Sequence, residues 1–221
     1  MLLLAADTSG QNGSIALARC SPPETCDILE VVELAGGTFS AQLVPQIASL
    51  LSKHNVSKND LDAFAVVSGP GSFTGLRVGL AVIKALGEIL GKPIAPLSLL
   101  GLVAVTGQTG GKRVAVLDAG RSEVYLGEYD GHQLQTQQLL TMSEFLTFSP
   151  TLPVITPDAR IAAAARAAGL TVYEIAHPRA DAVARLGWQK IQSGELASAE
   201  ELEANYIRRT DAEIFSAPKQ A

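Results

Sequence analysis

Apolar residues in this chain fall into short runs broken by small polar turns, and these runs alternate with longer amphipathic stretches. Leu2–Ala6 is continuously apolar and predicts a buried strand. Asp7-Thr8-Ser9-Gly10-Gln11-Asn12-Gly13 follows as a turn rich in Asp, Asn and Gly. Ser14–Arg19 and Asp27–Leu34 predict two further strands and complete a meander. Over Ser40–His54, Leu43, Val44, Ile47, Leu50 and Leu51 share a face, which predicts an amphipathic helix. Pro45 lies near its start, where proline is better tolerated than in mid-helix. Ala63–Ser68 predicts a fourth strand, and an apolar helix then runs to about Leu90.

That helix opens at Gly69-Pro70-Gly71-Ser72-Phe73-Thr74-Gly75-Leu76-Arg77. Leu76, Leu80, Ile83 and Leu90 form one apolar face. Thr74, Val78, Ala81, Val82, Ala85 and Ile89 cover much of the rest, leaving Arg77, Lys84 and Glu88 as a narrow polar stripe. A helix apolar most of the way round is buried on two sides. One side is its own sheet; the second is the helix at 40–54 or a partner molecule.

The glycine loop reads either as an anion site at a helix start or as a tight strand-to-helix turn that needs small residues. Two familiar phosphate loops fail on spacing. Gly75 is followed by Leu76 and Arg77 where a Walker loop needs Lys and Ser or Thr. For a dinucleotide fingerprint the third glycine falls one residue late, and Glu88 lies within the helix instead of at a strand end.

After a bridge at Lys92–Leu102, the second half repeats the opening of the first. Arg113–Asp118, Glu123–Tyr129 and Gln133–Leu140 predict strands, and Asp118 ends the first of them as Asp7 does. Val154–Thr156 predicts a short strand, and Asp158–Ala168 and Ala180–Gln192 predict helices. Thr141-Met142-Ser143-Glu144 and Ser198-Ala199-Glu200-Glu201 have the capping-box pattern before short helices. The repetition predicts two lobes related by duplication, residues 1–103 and 104–221, with the terminal segment returning to the first lobe.

The chain's 221 residues suffice for a substantial core. A net charge of −5 without a dense Lys/Arg run argues against an extensive nucleic-acid surface. Met1–Asp7 lacks the basic leader of a secretion signal, and no run of 18 apolar residues exists, so a soluble cytoplasmic protein is expected. Cys20 and Cys26 flank a turn and, without an export signal, are expected as free thiols. His54, His132 and His177 are scattered, which leaves no helix-borne pair of metal ligands.

Ala6-Asp7-Thr8-Ser9, Gly69–Arg77, Asp118-Ala119-Gly120-Arg121-Ser122-Glu123-Val124-Tyr125 and Tyr206-Ile207-Arg208 follow one another in an order that resembles the TsaB (YeaZ) family across essentially the whole chain. The resemblance implies the α/β, two-lobed actin-like ATPase (ASKHA) fold, with duplicated mixed sheets and helices. Two positions depart from the family pattern: Phe39 stands where relatives often carry His, and Asn205 where they often carry Pro. The family is a glycoprotease-like paralogue group that acts in formation of threonylcarbamoyladenosine beside the tRNA anticodon. What it implies here is a non-catalytic scaffold or activating subunit. Its partners are the TsaD threonylcarbamoyltransferase, the TsaE ATPase, a second copy of itself in isolation, and tRNA only through the complex.

The implied partner surface comprises Leu43, Ile47, Leu50, Thr74, Val78, Ala81, Val82 and Ala85, with Gly69, Pro70, Gly71 and Gly75 as a structural loop. No catalytic residue, metal or cofactor is assigned, and nucleotide is expected only at a joint interface. Independently of the family, the sequence has no late Gly-Gly-x-x-x-Asn loop, and Gly110-Gly111 directly precedes a strand. The competing reading is a stand-alone actin-like ATP-dependent kinase with Asp7, Thr8 and Asp118 around Mg-ATP. Against it, Asp7 reads as a brace for its own turn, and Asp118 with Arg121 as a local ion pair. A metallopeptidase lacks its ligands.

Overall fold

The computed structural model describes residues 1–23, 25–107, 111–147 and 151–207. The first half is β1 (Leu2–Asp7), β2 (Gly13–Ser21), β3 (Thr25–Leu34), α1 (Phe39–Lys53), β4 (Ala63–Gly69), α2 (Phe73–Leu90), β5 (Ile94–Ser98) and α3 (Leu99–Gly107). The second half repeats it: β6 (Lys112–Gly120), β7 (Glu123–Asp130), β8 (Gln133–Thr141), α4 (Met142–Thr147), β9 (Val154–Thr156), α5 (Ala159–Ala167), β10 (Val172–Glu174) and α6 (Ala180–Ser193).

The strands form two five-stranded sheets, ordered β3-β2-β1-β4-β5 and β10-β9-β6-β7-β8. In each, the opening three strands are an antiparallel meander and the last two join in parallel. Read from opposite ends, the two orders are the same. The duplication is therefore topological, and it extends to the helix inserted at each crossover.

The helix closing each half packs on the other half's sheet. α3 lies against β6 and β7, whereas α6 lies across β1, β2, β4 and β5. Gly187 permits that crossing, because a Cβ there would stand 2.5 Å from the Cβ of Ala65. α1 and α2 also pack on the first sheet, so helices sandwich it. Residues after α6 return to the first half as a strap. Ala197 bridges to Ile94, Leu202 is buried, and the Asn205 N–H donates to the Ser68 carbonyl.

Sequence and structure differ in a few elements. The expected bridge at 92–102 is strand β5 followed by α3. Pro96 sits on an edge strand, where a missing donor is tolerated. α3 is apolar all round because it is buried between the lobes, so it carries no helical periodicity. The box at Thr141 and Glu144 forms in both directions and starts α4. Ser198 and Glu201 also bond reciprocally, but they close a turn from which the strap runs on. Cys20 and Cys26 are not free thiols. They are register partners on β2 and β3, with Cα atoms 4.0 Å apart, and are joined as a disulfide. Glu24, Gly110 and Arg208 lie outside the described residues.

Candidate functional sites: an interlobe cleft and a helical face

Asp7 ends β1 and is 2% exposed. The Ser9 backbone N–H and hydroxyl both donate to its Oδ1, at 2.8 and 2.6 Å, which braces the turn locally. Burial raises the Asp7 carboxyl above its ordinary range, against the lowering effect of the Ser9 bonds and of His177. Thr8 is also buried, and its hydroxyl donates to the Gly75 carbonyl at 2.7 Å. That bond pins the β1 turn onto the first turn of α2.

The glycine loop closes around the same turn. A Cβ on Gly75 would stand 2.0 Å from the Thr8 carbonyl oxygen, and one on Gly71 2.6 Å from that of Ser9. Gly69 has φ +132°, and a Cβ there would meet the Asn205 carbonyl oxygen at 2.6 Å. The Ser72 N–H donates to the Ser9 carbonyl, and the Ser72 hydroxyl accepts from the Gly75 N–H as the α2 cap. Backbone-to-backbone packing thus accounts for the small residues here.

The two lobes enclose a cleft of about 960 Å³ at the carboxyl ends of β1 and β6. Asp7 and Asp118 line it together, whereas Thr8 is turned into the α2 contact. Asp118 is exposed and pairs with Arg160 at 3.2 Å, not with Arg121 as the sequence suggested. Arg121 is instead held at φ 54° in the hairpin turn between β6 and β7. The Asp118 N–H donates to Asp158 Oδ2 at 3.0 Å. His177, Arg179, Glu33, Phe39 and Tyr125 also line the cleft. Sequence reading did not group them because they come from separate loops and strands. Among the described residues, no group of three or more His, Cys, Asp or Glu could hold a metal ion.

The second site is a face shared by α1 and α2. Ala81, Val82 and Ala85 of α2 meet Val44, Ile47 and Ala48 of α1 around an apolar groove of about 690 Å³. Val44 is 56% exposed and Ile89, at the groove's end, 72%. Leu43 and Leu50 do not belong to this surface. Both are buried in the core, because the α1 stripe that includes them faces the sheet. Thr74 is exposed and Val78 half-buried, and both line the interlobe cleft, not the groove. Beside Thr74, the Arg77 guanidinium lies 3.7 Å from the centre of the Phe73 ring, and its Nε donates to the Tyr206 hydroxyl at 3.2 Å. The strap is thereby fastened to the start of α2.

Two copies of one meander-and-crossover unit, facing each other over a cleft, define a duplicated actin-like α/β protein. The family model TsaD, tRNA N6-adenosine threonylcarbamoyltransferase, matches residues 31–184. The chain belongs to that family, within its TsaB (YeaZ) group. It is 35% identical over 130 residues to the tRNA threonylcarbamoyladenosine biosynthesis protein TsaB of Bacillus subtilis (strain 168), covering 58% of this chain and 55% of that one. To the TsaB of Haemophilus influenzae it is 33% identical over 131 residues, covering 58% and 53%. The matched stretch spans about half the length of these curated relatives. The solved structure of YeaZ from Pseudomonas aeruginosa superposes with a TM-score of 0.72 at 22% identity, over 93% of this chain and 99% of the other, and shows the fold. No helix among the described residues is long and apolar enough to cross a membrane.

Proposed function

We propose that this chain serves the formation of threonylcarbamoyladenosine in tRNA as a non-catalytic scaffold or activating subunit. The observation that carries the reading is the exposed apolar face of α1 and α2 in a chain of the TsaB group. Small residues at Ala81 and Ala85 let another helix approach closely, and the burial of Val44 and Ile89 would exclude water from the contact. A TsaD paralogue occupies the face in the working complex, with TsaE as the accessory ATPase. In isolation the same face pairs two copies. The chain has no cofactor of its own in this reading and touches tRNA only through the complex. Its acidic balance supports that division, since affinity for nucleic acid rests on cationic contacts to phosphate.

The test is depletion of the protein followed by mass spectrometry of tRNA nucleosides, with rescue by wild type or by Ala81→Arg. Loss of threonylcarbamoyladenosine, restored by wild type and not by a folded Ala81→Arg chain, is the expected result. Unchanged modification after complete depletion overturns the pathway. Full rescue by Ala81→Arg overturns the placement of the surface. Turnover of ATP by the purified chain on the order of one per second, within the usual enzyme range, overturns the non-catalytic assignment.

A further inference from the structure

We propose that residues 203–207 of the strap form a releasable latch between the two lobes, fastened by Asn205. The inference goes beyond the partner reading and does not depend on it.

The strap has a firm half and a light half. In the firm half, Ala197 exchanges both backbone bonds with Ile94, at 2.8 and 3.3 Å, and Leu202 is buried in the core. The light half has no fully buried residue. Ala204 and Ile207 are half-buried, whereas Glu203, Asn205 and Tyr206 are exposed. Among the described residues one backbone-to-backbone bond holds it, from the Asn205 N–H to the Ser68 carbonyl at 2.7 Å. A segment with few buried apolar contacts opens locally, at less cost than global unfolding. The firm half keeps the released end close to its seat.

Asn205 touches both lobes. Its N–H bonds to Ser68, and its carbonyl oxygen fills the space that a Cβ on Gly69 would need. Its side-chain amide donates to Gln137 Oε1 on β8, in the second sheet, at 3.5 Å. That bond is long and exposed, so it ties the lobes without locking them. The polar stripe of α2 guides the same segment. Lys84 Nζ donates to the Glu200 carbonyl at 3.3 Å, and Arg77 Nε donates to the Tyr206 hydroxyl. The Tyr206 ring packs on Phe73 with centres 5.1 Å apart. The strap thus uses two of the three polar residues that interrupt this apolar helix.

Position gives the latch its consequence. Ser68 and Gly69 end β4 and lead into the loop whose Pro70, Gly71, Ser72 and Gly75 wall the cleft. Asn205 backs that loop at its start. Fastened, the strap holds the loop and β8 at one spacing. Released, the loop loses its backing, and the lobes are left joined by the packing of α3 and α6, which permits small sliding motions.

Amide exchange of the full wild-type chain by NMR is the first test. The Asn205 N–H is expected to be protected and to exchange by local opening, while β1 and β4 stay protected. An unprotected Asn205, or one that exchanges only with global unfolding, overturns the proposal. Variants then separate the contacts. Asn205→Pro removes the bond to Ser68 together with the side-chain amide, and Asn205→Ala removes the amide alone. Exchange at Ser72 and Gly75 should rise roughly two- to tenfold in Asn205→Pro, the range that one net hydrogen bond implies, and stay at the wild-type rate in Asn205→Ala. Interlobe distances are read by electron spin resonance between labels at the exposed positions Ser49→Cys on α1 and Ser143→Cys on α4. The distribution should broaden in both Asn205 variants and in Gln137→Ala, which leaves the strap intact and tests the tie even where the proline variant fails to fold. Unchanged distances in Asn205→Ala and Gln137→Ala overturn the interlobe role. Unchanged exchange in a folded Asn205→Pro overturns the backing of the loop. A uniform rise over all strands makes the strap a general stability element and overturns the latch.

Discussion

Burying Asp7 has a cost that depends on pH. The unfolded chain releases this proton in the ordinary carboxylate range, whereas the folded chain holds it to higher pH because burial disfavours the charge. Across that window the folded state binds more protons, so stability falls as pH rises and stays lower above it. Asp7→Asn keeps an oxygen for the Ser9 donors and removes the charge. Its melting temperature at neutral pH should equal or exceed that of wild type, and this component of the pH slope should vanish. Thermal melts across pH check it; a clear loss of stability at neutral pH would mean that the ionised carboxylate itself holds the turn. Gly75 tests the packing on the other side of the same turn. Gly75→Ala would push a methyl group against the Thr8 carbonyl, and overpacking of this kind costs roughly 1–3 kcal/mol by denaturant unfolding. The need for small residues at Gly69–Gly75 was legible in the sequence as one of two readings. Which one applies depends on Thr8, Ser9 and Asn205 closing in from distant parts of the chain.

The two surface helices divide into a core stripe and an open stripe, and single substitutions separate them. Leu43→Ala empties a fully buried position and should cost about 2–5 kcal/mol by denaturant unfolding. Ala81→Arg lies on the exposed stripe, so its stability should stay within about 0.5 kcal/mol of wild type while self-association, read by sedimentation, is lost. An unfolded Ala81→Arg chain would place Ala81 in the core instead. Periodicity identifies α1 and α2 but does not say which apolar residues face the sheet, so it could not separate the buried Leu43 and Leu50 from the partner surface that the family resemblance implies. It also gives no signal for α3, whose apolar surround gives no moment to read, or for β5, whose Pro96 imitates a linker.

At the scale of the whole molecule, each lobe is completed by a helix from the other half. Ala180, Val183, Ala184 and Trp188 of α6 are buried in the packing on the first sheet, which residues 1–103 alone would expose. A chain cut after residue 103 is therefore expected to lack a cooperative thermal transition by circular dichroism. A sharp transition would show that the first lobe is self-sufficient. The sequence by itself determined most of the elements, their repetition across the two halves and the resemblance to the TsaB family, because strand runs, amphipathic stripes, capping residues and glycine turns act over a few neighbouring positions. Only the tertiary structure decided that α3 and α6 pack on each other's sheets, that Cys20 meets Cys26, that Asp118 pairs with Arg160, and that Thr8 bonds to Gly75 across the chain. Those outcomes depend on strand register and on residues far apart in the chain coming into contact, and local pattern carries neither.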